Sequence, residues 1–227
     1  MPTRSPIILL HGTTREEVPA TFIEDVTVDE LKNADREWQA DLQPYLEQLS
    51  GLTRRSGEDW RTFSRRAYRG ALALQVAPER LPEHPHWEWA GKQRRAGAES
   101  RIFGIECEGQ AQALMLARSD KLARLPAVLG QPLAYIDYLA SAPWNLPNLT
   151  ASPRFRGSGF VLVRAAIQWS LDQGWEGRLG LHALPGAEDF YRNPRKCGMF
   201  DLGIDPNYGK LRYFEFSAVQ ARAFLER

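Results

Sequence analysis

Apolar residues recur along this chain with two different periods, and the change between them organises it. Residues 5–11 form an apolar run, and residues 20–28 (Ala-Thr-Phe-Ile-Glu-Asp-Val-Thr-Val) are a second strand candidate. From residue 31 the spacing becomes helical. Leu31, Ala34, Trp38 and Leu42 follow each other at three or four residues, behind a Thr27–Glu30 capping box. Pro44 is expected to kink or end that helix, with Tyr45, Leu46 and Leu49 available to carry it further. Residues 51–57 read as a loop. Trp60, Phe63, Ala67, Ala71 and Leu74 make the stripe of another helix. A proline-punctuated connection fills residues 78–85, and a short helix is expected over 87–95.

Beyond residue 100 the pattern turns to strands. Residues 101–107 and 110–117 flank Glu108-Gly109, a hairpin turn signal, and residues 133–141 are a third run. Phe160, Val163, Ile167 and Leu171 then form one face of a long helix, with Gly174 near its C-cap. A strand over 178–184, a short helix over 187–192 and a closing strand pair over 199–203 and 211–216 complete the chain. The order β-α-α-β-β-β-α-β-α-β-β predicts an α+β (mixed α/β) fold.

Composition narrows the possibilities. The 227 residues are 43% hydrophobic and 25% charged, enough apolar material for one large domain with a core. A formal net charge of +1 gives no overall attraction to nucleic acid or to an anionic membrane. Cys107 and Cys197 are the only cysteines, which argues against a disulfide framework and for a reducing compartment. Residues 7–10 are too short for a signal-peptide core, and no run reaches the ~18 apolar residues of a membrane span. A cytoplasmic protein is expected.

The segment Pro153-Arg154-Phe155-Arg156-Gly157-Ser158-Gly159-Phe160 carries the clearest chemistry. It is a basic, glycine-rich loop that enters the long helix. The first N–H groups of a helix have no partner, and its dipole makes that end positive. Gly157 and Gly159 leave those groups uncovered and Arg156 adds charge, a construction suited to phosphate. Other features are weaker. His84 and His86 have no cysteine pair nearby, so no metal site is predicted. Six arginines between Arg54 and Arg69 suit a solvated helix face or a surface for an acidic acceptor. Trp38, Trp60, Trp87 and Trp89 suit core or an acceptor groove. His11-Gly12 after an apolar strand is similar to the oxyanion turn of lipases, but no Gly-x-Ser-x-Gly elbow accompanies it. Gly157-Ser158-Gly159 lacks the third glycine of a dinucleotide-binding turn.

The loop Arg156-Gly157-Ser158-Gly159-Phe160-Val161 resembles the pyrophosphate signature of the GNAT acyltransferase superfamily, with Val161 in place of the usual small residue. Downstream, Leu179-Gly180-Leu181-His182 and Ala187-Glu188-Asp189-Phe190-Tyr191-Arg192 resemble that family's fifth strand and next helix, with Leu184 where an asparagine is common. The resemblance covers about residues 133–216. It implies a GNAT-like fold, with a central mixed, mostly antiparallel sheet flanked by helices in a single domain. Residues 1–100 would form the acceptor side and residues 101–227 the acyl-coenzyme A core.

What it implies chemically is transfer of an acetyl group from acetyl-coenzyme A to a primary amine, with no metal. The pyrophosphate would lie on Gly157, Ser158, Gly159, Phe160 and Val161, beside Arg156. Backbone groups of Leu139, Ala140 and Ser141 would hold the pantetheine arm. Tyr191 is the expected general acid, and Asp137 or Glu106 the base. Strand alternation would put Asp137 on one face with Tyr135 and Leu139. Partners would be the acyl donor and an amine-bearing small molecule or peptide, without nucleic acid or membrane, in a monomer or homodimer. A GNAT-like module that binds acyl-coenzyme A, or a protein partner, without turnover is the alternative.

Overall fold

The computed structural model describes residues 2–227. Strand β1 (Thr3–His11) pairs antiparallel with β2 (Glu17–Glu24), Ile7 opposite Ala20. The second strand ends at Glu24, before the predicted Val28, because Thr27 is already committed to helix α1 (Val28–Ser50). Its hydroxyl accepts from the Glu30 N–H, and the Glu30 carboxylate accepts from the Thr27 N–H. Helix α1 passes through Pro44 without ending. The Ala40 carbonyl that loses its donor there lies on an exposed stretch where water can replace the bond. Leu42 and Leu46, on either side, are buried against Trp60, Phe63 and Ala67 of α2 (Trp60–Ala73). Helix α3 (Trp89–Arg95) is tied to α1 by the Asp35 carboxylate, which accepts from the Trp89 and Ala90 N–H groups at 2.6 and 3.0 Å. The Arg54–Arg69 stretch is partly used internally. Arg66 pairs with Glu58 at 2.7 Å, and Arg54 donates to the Glu58 carbonyl.

Strands β3 (Ser100–Cys107) and β4 (Gln110–Leu122) form the predicted hairpin, with Glu108 and Gly109 both at positive φ. They are followed by β5 (Pro132–Ser141), β6 (Phe155–Arg156), α4 (Ser158–Asp172), β7 (Leu179–Ala183), α5 (Glu188–Arg192), β8 (Phe200–Ile204), β9 (Arg212–Phe216) and α6 (Ala218–Leu225). Two of these lie outside the sequence pattern. Strand β6 adds two residues to the edge of β1, and α6 closes the chain behind a Ser217–Gln220 capping box.

All nine strands join one sheet in the order β6-β1-β2-β3-β4-β5-β7-β9-β8. Only β5 and β7 run parallel; every other neighbour is antiparallel. Leu162, Val163, Ala166 and Ile167 of α4 are fully buried on one face, against Phe103, Met115, Ile136 and Leu181. Each leucine- or valine-sized side chain hidden there contributes about 2 kcal/mol of transfer free energy. Helices α1 and α3 cover the other face through Leu31, Trp38 and Trp89. Cys107 and Cys197 are free and buried. Among the described residues no helix is long and apolar enough to cross a membrane.

Gly12 has a packing reason to be glycine. Its N–H donates to the Arg154 carbonyl at 2.7 Å, and a Cβ there would stand 1.5 Å from the Pro153 carbonyl oxygen. This close approach seats the loop that leads to α4. Gly12→Ala is expected to destabilise the protein by about 1–3 kcal/mol, read as a lower urea midpoint with unchanged slope. A wild-type midpoint would contradict the approach.

Candidate functional site

The site begins with one irregularity in β5. Ile136 faces Ala117 and Tyr138 faces Leu116, so Asp137 is an extra residue with no partner on β4. Such a β-bulge bends its strand and sharpens its twist. On the opposite side, pairing with β7 runs from Ala134–Leu179 only to Ile136–Leu181. Strand β5 continues to Ser141 and β7 to Ala183 without meeting again. The sheet opens as a V at the bulge, and the β7-facing backbone groups of β5 beyond it have no strand partner. The bulge also overturns the expected alternation. Ile136 and Leu139 both pack toward α4, whereas Tyr135 and Tyr138 belong to the clusters on the opposite face.

A cavity of about 460 Å³ fills the V. Leu139, Leu181, Ala187 and Tyr191 line it on the α4 side, and Trp87, Asp137, Tyr138, His182 and Tyr208 line it elsewhere. From this cavity the free edge of β5 leads to the glycine loop, because Ser141 Oγ lies 3.3 Å from Ser158 Oγ on the first turn of α4. Gly157 is the N-cap at φ 97, a left-handed conformation that favours glycine. Gly159 is small for another reason. The Phe190 ring from α5 sits where its side chain would be, 3.2 Å from an ideal Cβ. Ser158, Gly159 and Phe160 present the first N–H groups of the helix, which have no intrahelical acceptor. Val161 was expected among these donors, but its N–H bonds the Gly157 carbonyl at 3.1 Å, so it closes the first helical turn and is not available. Arg156 sits beside them, its Nε donating to the Gly12 carbonyl at 3.0 Å.

The expected catalytic residues separate into two places. Tyr191 and Asp137 line the same cavity. Tyr191 is 5% exposed, and burial, with the Cys197 thiol beside it, pushes its hydroxyl above the usual tyrosine range. Among the described residues that hydroxyl makes no hydrogen bond, and Tyr191 lines the cavity. Asp137 accepts from the Tyr208 hydroxyl at 3.2 Å and lies 3.9 Å from Arg118. Glu106 does not join them. It pairs with Arg4 at 3.6 Å and lines a separate hollow against α1.

Two residues at the site went unrecognised in the sequence. His182 lies inside β7 (Leu-Gly-Leu-His-Ala), and its position as the one polar residue in that apolar run is the signal that could have marked it. Lys92, in α3, is buried, with Nζ 4.1 Å from the Trp87 ring centre and 3.0 Å from that of Tyr138. Among the described residues no carboxylate lies within ion-pairing distance of it, and burial holds its amine down to about 7 despite Asp137 nearby. The protonated form is therefore disfavoured by folding. Between about pH 7 and the ordinary 10.5, the unfolded chain binds more protons, and this residue makes stability rise with pH. Lys92→Met should remove that contribution. Urea midpoints measured from pH 7 to 10 are expected to show the variant's advantage over wild type shrinking as pH rises, and a constant difference would contradict the buried, partnerless amine.

No family model matches the sequence, and no curated protein is similar to it in sequence. Solved structures are similar in fold. An uncharacterized protein from Bacillus halodurans superposes with a TM-score of 0.51 at 10% identity, covering 98% of this chain and 95% of that one. Mycobacterium smegmatis RimJ, solved with CoA-disulfide, gives 0.45 at 14% identity over 99% and 94% of the two chains. The PaiA N-acetyltransferase from Thermoplasma acidophilum, solved with coenzyme A, gives 0.44 at 9% identity over 86% and 97%. The likeness is one of fold alone: a mixed sheet with a single parallel strand pair that splays, its two strands connected through the glycine loop and α4.

Proposed function

We propose that the protein is an N-acyltransferase that moves an acetyl group from acetyl-coenzyme A to a primary amine by direct attack on the thioester. The observation that carries this is the line of backbone groups without a strand partner that runs from the β7-facing edge of Leu139 and Ser141 to Ser158–Phe160, joined at the Ser141–Ser158 contact. A pyrophosphate suits the helix start, where N–H groups and dipole act together. A pantetheine arm suits the open β5 edge, where its amides can take the place of the missing strand. Laid along that line, the thioester reaches the bulge beside Asp137 and Tyr191. A backbone N–H there is placed to stabilise the oxyanion. Asp137 takes the proton of the attacking amine, and Tyr191 gives one to the departing thiolate. Glu106, held by Arg4 outside the cavity, takes no part. Residues 101–227 hold the donor, while Trp87 and Lys92 of the first hundred residues shape the acceptor side.

Isothermal titration with acetyl-coenzyme A, beside a thiol-release assay over a panel of amines, tests this directly. Saturable binding and release with at least one amine are expected. Binding with no release on any amine would leave a donor-binding module, and no binding would refute the proposal. Tyr191→Phe should lower kcat by about 10²-fold with donor affinity unchanged; wild-type turnover would remove it from the mechanism. Gly159→Glu, combined with Phe190→Leu to free the space that the ring fills, should place a carboxylate against the pyrophosphate and abolish binding. Phe190→Leu alone should keep it, and an unchanged affinity in the double variant would refute the loop assignment.

A further inference from the structure

A chain of polar side chains leads away from Asp137 on the side opposite the donor. The Tyr208 hydroxyl donates to Asp137 Oδ1 at 3.2 Å, and its ring stacks on His182 with centres 4.0 Å apart and planes at 13°. The Tyr135 hydroxyl, which sits beside that of Tyr208, is 2.6 Å from His182 Nδ1. On the far side, His182 Nε2 is 3.1 Å from Asp205 Oδ2, and Asp205 pairs with Arg124 at 2.5 Å. The Arg124 guanidinium and the Asn207 N–H hold the Asp205 carboxyl down to about 2, so it only accepts. The hydrogen bonds thereby fix the histidine. Nε2 carries the hydrogen, and Nδ1 accepts from Tyr135.

A buried polar network on its own is adequately explained by packing. This one differs because two members, His182 and Tyr208, line the cavity that holds Asp137 and Tyr191. It also has the order expected of a base oriented by a third group, carboxylate behind imidazole and hydroxyl in front. We propose that Tyr208, Tyr135 and the His182–Asp205 pair form a relay that draws the acceptor amine's proton away from Asp137. The proposal rests on the acyltransferase reading.

The amine nitrogen forms its bond to the thioester carbonyl carbon, and its proton passes to the Asp137 carboxylate. The Tyr208 O–H turns toward the Tyr135 oxygen. Asp137 then hands its proton to the Tyr208 oxygen, the Tyr208 hydrogen moves to Tyr135, and the Tyr135 hydrogen moves to Nδ1. His182 becomes an imidazolium balanced by Asp205. The C–S bond breaks as the oxyanion collapses, and the thiolate takes the Tyr191 proton. Solvent then accepts the His182 proton and restores that of Tyr191. Asp137, Tyr208, Tyr191 and His182 line the cavity, whereas Tyr135 and Asp205 act through them as positioning and relay groups.

The groups facing His182 are Asp205, Arg124, Lys121 and the rings of Tyr135, Tyr208 and Tyr213. Burial first, then Arg124 and Lys121, lower its pKa against the opposing pull of Asp205, so it is neutral and ready to accept at neutral pH. The test is the pH profile of kcat in the full chain with the best amine of the panel. Wild type should lose activity on an acid limb with a midpoint below 6.5. His182→Gln should lower kcat by about 10²-fold, remove that limb and leave acetyl-coenzyme A affinity unchanged. Tyr208→Phe, at a partly exposed loop position that tolerates the change, should remove the same limb by cutting the chain between Asp137 and His182. Nitrogen-15 spectra of the histidines should show the Nε2–H tautomer of His182 from pH 6.5 to 8. Wild-type kcat and an intact acid limb in both variants, or the opposite tautomer, would overturn the relay while wild-type turnover stands. Absence of turnover in wild type with every amine would instead bring down the acyltransferase reading, and the relay with it.

Discussion

One unpaired residue in a strand sets the geometry of this protein. Asp137 has no counterpart on β4, so β5 bends away from β7 just where their parallel pairing stops. Had the parallel ladder continued, β7 would take up the backbone groups of Leu139 and Ser141 that face away from β4. The opening exposes donors and acceptors that the chain does not satisfy itself. Unpaired backbone groups are costly when hidden from water. A strand edge held open by rigid elements on both faces is therefore a place where an extended, amide-bearing ligand gains hydrogen bonds without the protein having to rearrange. Helix α4 and the α1–α3 pair supply that rigidity through two separate hydrophobic clusters.

The same opening brings three chemically distinct groups to one place. Tyr191 arrives from α5 with an unpaired hydroxyl that burial keeps protonated. Asp137 arrives from the bulge itself. His182 arrives from the end of β7, with Asp205 behind it. Their environments differ in kind. Tyr191 lies among Phe190, Phe214 and Cys197, whereas Asp137 and His182 lie in a polar layer of Tyr208, Arg118 and Arg124. Such a separation of an apolar wall from a polar one suits the two opposite proton transfers that we propose.

Much of this architecture could be read from spacing alone, because α1, α2, α4 and the β3–β4 hairpin bury continuous stripes or carry local turn chemistry. What escaped has physical causes. Strand β6 is two residues long and exists only because β1 offers an edge. Helix α6 was announced by Ser217 and Gln220, but a capping box is a short signal at the end of a chain. Pro44 forecast a break that the exposed side of α1 does not require. In the site, Tyr191 and the glycine loop were legible because the chemistry tied to them sits in contiguous residues. The bulge was not, since it depends on register with β4, which no local pattern records. That one shift accounts for the wrong grouping of Asp137 with Tyr135 and Leu139. His182 meets Asp205 and Tyr208 only through tertiary packing, and Lys92 reaches Tyr138 in the same way.

The account stands on donor binding along the open edge of β5 and the start of α4, and amide hydrogen exchange reads those groups one by one. Adding coenzyme A to the protein should slow exchange at Leu139 and Ser141 and at residues 158–160 together, while β1 and α2 remain unchanged. Unaltered exchange at both segments under saturating ligand, or protection confined to some other surface, would contradict it.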